Sequence, residues 1–106
     1  MNEADFNALA DAELARLEGL LDGCDLDFDY ELKPGGIVEL EFENGSKIIV
    51  NRHTAAREIW LAAKSGGFHF RPDGGRWLGT RDGADLYAVL SRCMTEQSGE
   101  PVSLAG

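Results

Sequence analysis

Basic residues are scarce in this chain: ten Lys and Arg face nineteen Asp and Glu, for a net charge of −9. The deficit is concentrated, because Met1 to Glu43 holds thirteen acids against only Arg16 and Lys33. The remainder holds six acids and eight bases. A field that repels phosphate argues against nucleic acid and anionic membranes as partners, and favours cations or a basic protein surface. Cysteine is equally sparse. Cys24 and Cys93 form no CxxC pair, fall short of the four thiolates of a typical metal–sulfur cluster, and read as small semi-buried hydrophobes in a reducing cytosol. The longest apolar run, Ile59 to Ala63, is far below the ~20 residues that span a bilayer. Met1 to Asp5 is acidic and lacks the apolar stretch of a secretory leader, so the expected location is cytoplasmic. The only histidines, His53 and His69, sit in no HxxxH or HExxH spacing. GxSxG, P-loop and helix-preceding GxGxxG patterns are missing too, so no enzyme is expected.

What is present organises as one domain over residues 1–106, long enough to bury a core without disulfides. Phe6, Ala10, Leu14, Leu17 and Leu21 recur at three- and four-residue spacing, which predicts a helix over 3–22. Asn2 is placed to cap it, with Asp5 three residues on, and Gly23 to end it. The period then becomes two: Leu26, Phe28, Tyr30 and Leu32 alternate with Asp25, Asp27, Asp29 and Glu31, a half-buried strand. Pro34-Gly35-Gly36 turns the chain into a second strand with Val38, Leu40 and Phe42 inward. A three-residue loop, Glu43-Asn44-Gly45 with Gly45 as a G1 bulge, is the connection that sets Leu40 against Ile48 and Val38 against Val50. The same register puts Glu41 opposite Lys47, a favourable pair. Further strands are predicted at 58–63, 67–71 and 76–80, the last two joined by Pro72-Asp73-Gly74-Gly75. Asp82 is then expected to cap a closing helix whose apolar face is Leu86, Val89, Leu90 and Cys93. The expected fold class is α+β: two helices packed on one face of an antiparallel sheet of about six strands, with the other face open to water.

The acids are arranged rather than scattered. Asp11, Glu18 and Asp22 fall on one helix face, and Glu18 and Asp22 are a like-charge i,i+4 pair near the helix C-terminus, where negative charge is doubly unfavourable. On the strand, Asp25, Asp27, Asp29 and Glu31 project to one side about 7 Å apart, each pair repelling by roughly 0.6 kcal/mol in water before screening. Charges that prevent edge-to-edge aggregation would explain the strand acids alone. Their continuation onto the helix end favours a cation-binding ridge, because carboxylates are hard donors for iron, manganese, calcium or magnesium. No cage is visible, so binding there would be weak and exposed. The run from Asp25 also starts like an EF-hand loop, but Tyr30 stands where Gly is required and Gly36 where Glu is. A second candidate surface is the open sheet face, where alternation exposes Trp60 beside Glu58 and Lys64, sharing the face with Asn51, Ile49 and Lys47.

Three segments, Glu43-Asn44-Gly45-Ser46-Lys47-Ile48-Ile49-Val50-Asn51-Arg52, Ile59-Trp60-Leu61-Ala62-Ala63-Lys64 and Gly66-Gly67-Phe68-His69-Phe70, taken with the acidic run before them, resemble bacterial frataxins, the CyaY family, along essentially the whole chain. The resemblance implies the frataxin-like α-β sandwich and weak binding of Fe2+ and Fe3+ as cargo. It also implies a role in iron–sulfur cluster assembly with the cysteine desulfurase and its scaffold, as iron donor, regulator or both, and a monomer without metal. The implied iron-contacting acids are Glu18, Asp22, Asp25, Asp27, Asp29 and Glu31, with Asp11 peripheral; the implied partner positions are Asn51 and Trp60. Gly19 and Gly23 depart from the pattern, standing where many relatives carry further acids. The alternative is a metal-independent anionic regulator that grips a basic desulfurase surface. An iron oxidase ranks last, since the Glu and Glu-x-x-His ligands of di-iron bundles are missing.

Overall fold

The computed structural model describes residues 1–104. Helix α1 spans Glu3–Asp22, with the Asn2 side chain accepting from Asp5 N at 2.8 Å and Gly23 ending it, as the sequence predicts. Six strands follow: β1 Phe28–Lys33, β2 Ile37–Phe42, β3 Lys47–His53, β4 Glu58–Ala63, β5 Gly66–Asp73 and β6 Arg76–Gly79. Helix α2, Leu86–Ser98, closes the chain. Each strand pairs antiparallel with its chain neighbours, giving the order β1-β2-β3-β4-β5-β6 with β1 and β6 as the edges.

The helices cover one sheet face. Phe6, Leu14, Leu17 and Leu21 of α1 and Leu86, Val89, Leu90 and Cys93 of α2 share a buried core with Val38, Leu40, Ile48, Val50, Ile59 and Leu61 of the sheet. The three-residue hairpin is present: Leu40 faces Ile48 and Val38 faces Val50, while Gly45, at φ +83°, donates to Phe42 O at 2.9 Å. Glu41 is opposite Lys47 as expected, but the Lys47 ammonium reaches diagonally to Glu39 at 2.9 Å.

Four local expectations are corrected. β1 begins at Phe28, so Asp25 and Asp27 lie in the bend between α1 and β1 rather than on the strand. Leu32, at the far end of β1, is 49% exposed rather than half-buried. Pro72 and Asp73 belong to β5; Asp73 pairs with Arg76, leaving a two-residue Gly74-Gly75 turn whose φ values of +58° and +86° suit the tight hairpin. The cap of α2 is Asp85, whose carboxylate accepts from Tyr87 N at 3.0 Å. Asp82 instead accepts from Ala84 N in a preceding turn. A bridge between Leu78 and Asp85 holds Asp85 in the extended conformation a cap requires, and so delays the helix by three residues.

Gly19 lies within α1, and a Cβ built there meets nothing within 4 Å. Gly19→Ala therefore stabilises the fold by about 0.5–1 kcal/mol through helix propensity alone. Urea unfolding checks this; a variant no more stable than the parent would show that the end of α1 is frayed.

Candidate metal ridge and partner surface

The six ridge acids sit on three supports. Glu18 and Asp22 come from the last turns of α1, Asp25 and Asp27 from the bend that follows, and Asp29 and Glu31 from β1. All are exposed except the half-buried Glu18. Alternation along β1 splits them between two faces. Phe28 and Tyr30 pack toward the helices, so Asp29 and Glu31 project from the open face, opposite Glu41 and Glu39. The result is a discontinuous acidic margin around the β1 edge. Among the described residues no group of three His, Cys, Asp or Glu side chains is close enough to hold an ion.

Several members are already engaged. Asp11, on the same helix face, is ion-paired to Arg52 at 2.6 Å, which withdraws it from the ridge. The Tyr30 phenol donates to Asp22, and that hydrogen bond, with the charges of Asp22 and Glu18, pushes the phenol up to about 12. Asp27 meets Glu43 of the hairpin loop, and the Glu43 carboxyl is raised by the hydrogen bond with Asp27, then by its charge and that of Glu100. Glu39 is the compensated exception: Lys33 and Lys47 bond to it and lower its carboxyl. Asp25, Asp27 and Asp29 make no ion pair among the described residues.

The open face centres on Trp60, and here the structure adds what alternation could not give. Asn51 is directly opposite Trp60 on β3, and His69 directly opposite on β5. The His69 imidazole stacks on the indole at 4.3 Å between centroids, and His53, diagonal on β3, stacks at 3.7 Å. Since the two rings come from opposite sides of β4, they sandwich the indole. Its N–H donates to Glu58 at 2.7 Å, and the same carboxylate lies 3.6 Å from His69 Nδ1. Trp60 is therefore half-buried within a three-ring stack rather than a bare ring.

Tyr30, Glu43, Arg52, His53 and His69 were missed as neighbours of these sites. For Glu43 a signal existed: with Phe28 paired to Phe42, one further step brings Asp27 against Glu43.

A helix at each end of the chain, both on one face of a six-stranded meander, with acids gathered at the β1 margin, defines the α-β sandwich class expected from the sequence. A family model for frataxin-like domains matches residues 1–100, and the chain belongs to that family. The iron–sulfur cluster assembly protein CyaY of Dechloromonas aromatica (strain RCB) is 54% identical over 104 residues, covering 98% of this chain and 99% of that protein. A solved frataxin from Psychromonas ingrahamii superposes with a TM-score of 0.90 at 32% identity, over the full length of both chains. A trimeric yeast frataxin from Saccharomyces cerevisiae, complexed with ferrous iron, gives 0.64 at 27% identity, covering 94% of this chain and 88% of its own.

Proposed function

We propose that this chain is a cytoplasmic, non-enzymatic accessory protein of iron–sulfur cluster assembly. It collects Fe2+ and Fe3+ weakly on Glu18, Asp22, Asp25, Asp27, Asp29 and Glu31, and it is monomeric without metal. It docks on the cysteine desulfurase and scaffold through that margin and through the sheet face bearing Asn51 and Trp60. The observation that carries this reading is the unneutralised state of Asp25, Asp27 and Asp29 on an exposed edge, beside a helix end that adds Glu18 and Asp22. Support also comes from relatives named as iron–sulfur cluster assembly proteins and from a family member complexed with ferrous iron. Separated carboxylates suit a cargo that must leave again, because fewer ligands per ion means weaker retention. In an NMR titration Fe2+ is expected to broaden residues 18–31 selectively, and less so on acidification, where protons compete for the carboxylates. Unchanged signals across 18–31 would remove the metal from this reading.

The metal-independent reading has an observation in its favour: Asp11 and Asp22 are already engaged and no three-ligand cluster forms among the described residues. It predicts that desulfurase inhibition persists in chelator and falls steeply with salt. Under the iron-dependent reading, chelator changes that inhibition. An assay of the desulfurase with and without chelator separates the two.

A further inference from the structure

The ring spacings around Trp60 tell how the indole stands on the sheet. His53 and Trp60 are 3.7 Å apart between centroids with 14° between their planes, and Trp60 and His69 are 4.3 Å apart with 9°. The three rings are therefore parallel. They rise in turn from β3, β4 and β5, and adjacent strands lie about 4.8 Å apart. The stacking axis thus runs across the strands, so the ring planes stand up from the sheet and turn an edge toward solvent. Hydrogen bonds hold the stack in place. The indole N–H donates to Glu58 at 2.7 Å, and His53 Nδ1 accepts from Ala56 N at 3.3 Å in the β3–β4 turn.

An unrestrained surface indole samples several rotamers and must give them up when it binds. This one has given them up beforehand. We propose that His53 and His69 are positioning residues of the docking face, clamping Trp60 on edge so that it enters an apolar slot on the partner. The chemistry of that slot follows from what the clamp hides. Imidazoles cover both indole faces, so a partner guanidinium cannot stack on the ring. The N–H is spent on Glu58, so a partner acceptor finds no donor there. Only the carbon edge is offered, and apolar side chains are what fit it. Docking then has two components: the acidic margin grips bases and is screened by salt, while the Trp60 contact is not. This inference rests on the docking-face reading above and adds to it two residues and the chemistry of the surface they meet.

Binding of the full chain to the cysteine desulfurase complex tests it, with two double variants beside Trp60→Ala. One is His53→Ala with His69→Ala, which removes the clamp; the other is His53→Phe with His69→Phe, which keeps flat rings without imidazole nitrogens. Circular dichroism reports that each folds. Trp60→Ala is expected to weaken binding about thirtyfold or more, as a central anchor does. The alanine pair is expected to weaken it roughly three- to tenfold, by the same factor at low salt and in about 0.5 M salt. The phenylalanine pair is expected to bind like the parent. Acrylamide quenching gives the spectroscopic reading, because Trp77, the only other tryptophan, is 3% exposed in the core. Quenching of Trp60 should rise in the alanine pair and return to the parent value in the phenylalanine pair. If Trp60→Ala weakens docking but the alanine pair does not, the clamp is overturned and the docking-face reading stands. A loss that the phenylalanine pair fails to rescue, or that vanishes in salt, also overturns the clamp. If neither Trp60→Ala nor the alanine pair weakens docking, both readings fall.

Discussion

Replacing Asp25, Asp27 and Asp29 together by Asn raises the melting temperature at low salt and weakens both iron and partner binding. All three are exposed and none is in an ion pair among the described residues, so no favourable charge pairing is lost with their charge. Asp27 also meets Glu43, whose carboxyl is raised first by the hydrogen bond with Asp27 and then by the charge of Asp27. Exposed like charges about 4–10 Å apart in water repel by roughly 0.4–1 kcal/mol per pair, so the relief is on the order of 1–2 kcal/mol, or about 5–10 °C for a domain of this size. The gain should fade in about 1 M salt, where the Debye length is about 3 Å. Glu31 is left in place because Lys33 and Lys47 both feel it favourably. The pH dependence has a definite sign. A carboxyl raised in the fold stays protonated to a higher pH than in the unfolded chain, so the part of stability owed to Glu43 is present in acid and lost as pH rises through its raised value. Thermal melts of Glu43→Gln and the parent from acid to neutral pH should therefore diverge upward in pH, with the variant the more stable at neutrality. A triple variant less stable than its parent at low salt would show the acids to be structural, and the case for a functional ridge would lose its main support.

Gln97→Leu destabilises the protein by about 2–4 kcal/mol. Gln97 is the one buried polar residue among the described residues, at 6% exposure, and it ties α2 to the β2–β3 hairpin and to the β4–β5 turn. Its side-chain oxygen accepts from Lys64 N at 2.9 Å in the β4–β5 turn. Its amide nitrogen donates to Ser46 Oγ and to Lys47 O, both at 3.1 Å, while its backbone oxygen accepts from Asn44 at 2.7 Å. Leucine keeps much of the volume but leaves a part-buried N–H and C=O unpaired, at about 1–3 kcal/mol each. Against a total of about 5–15 kcal/mol this is a large fraction, visible as a drop of about 10–20 °C. Faster hydrogen exchange at the Lys64 amide should accompany it. A loss under about 0.5 kcal/mol, the usual surface value, would mean that water replaces the amide without cost.

The layers and the hairpin register were legible because burial enforces the periods of 3.6 and 2 so strongly. A one-residue slip at Leu40 and Ile48 would have turned every apolar side chain outward. Element ends were less legible, since they depend on neighbours far away in sequence. Asp82 and Asp85 are chemically identical caps, and only the bridge from Leu78 selects the second. The ridge was legible as composition but not as geometry. Asp25 and Asp27 continue the alternating pattern of β1, yet the pairing of Phe28 with Phe42 is the last rung, so they leave the strand. The imidazole stack on Trp60 was invisible because it needs the registers of β3, β4 and β5 at once.

Connections between consecutive strands are only two to four residues long, so the sheet assembles by closing small loops, which costs little chain entropy. Distant closure is left to the termini, as in the bond between Tyr87 and Glu13, seventy-four positions apart. Local pairing of this kind favours early formation of the meander, with the helices arriving afterwards. During that interval the face of Val38, Leu40, Ile48, Val50, Ile59 and Leu61 has no lid, and the nascent sheet is most vulnerable to sticking to a second copy of itself. The negative margin along β1 guards one of its two open sides throughout, a kinetic protection that would persist in a chain bound to no metal and no partner.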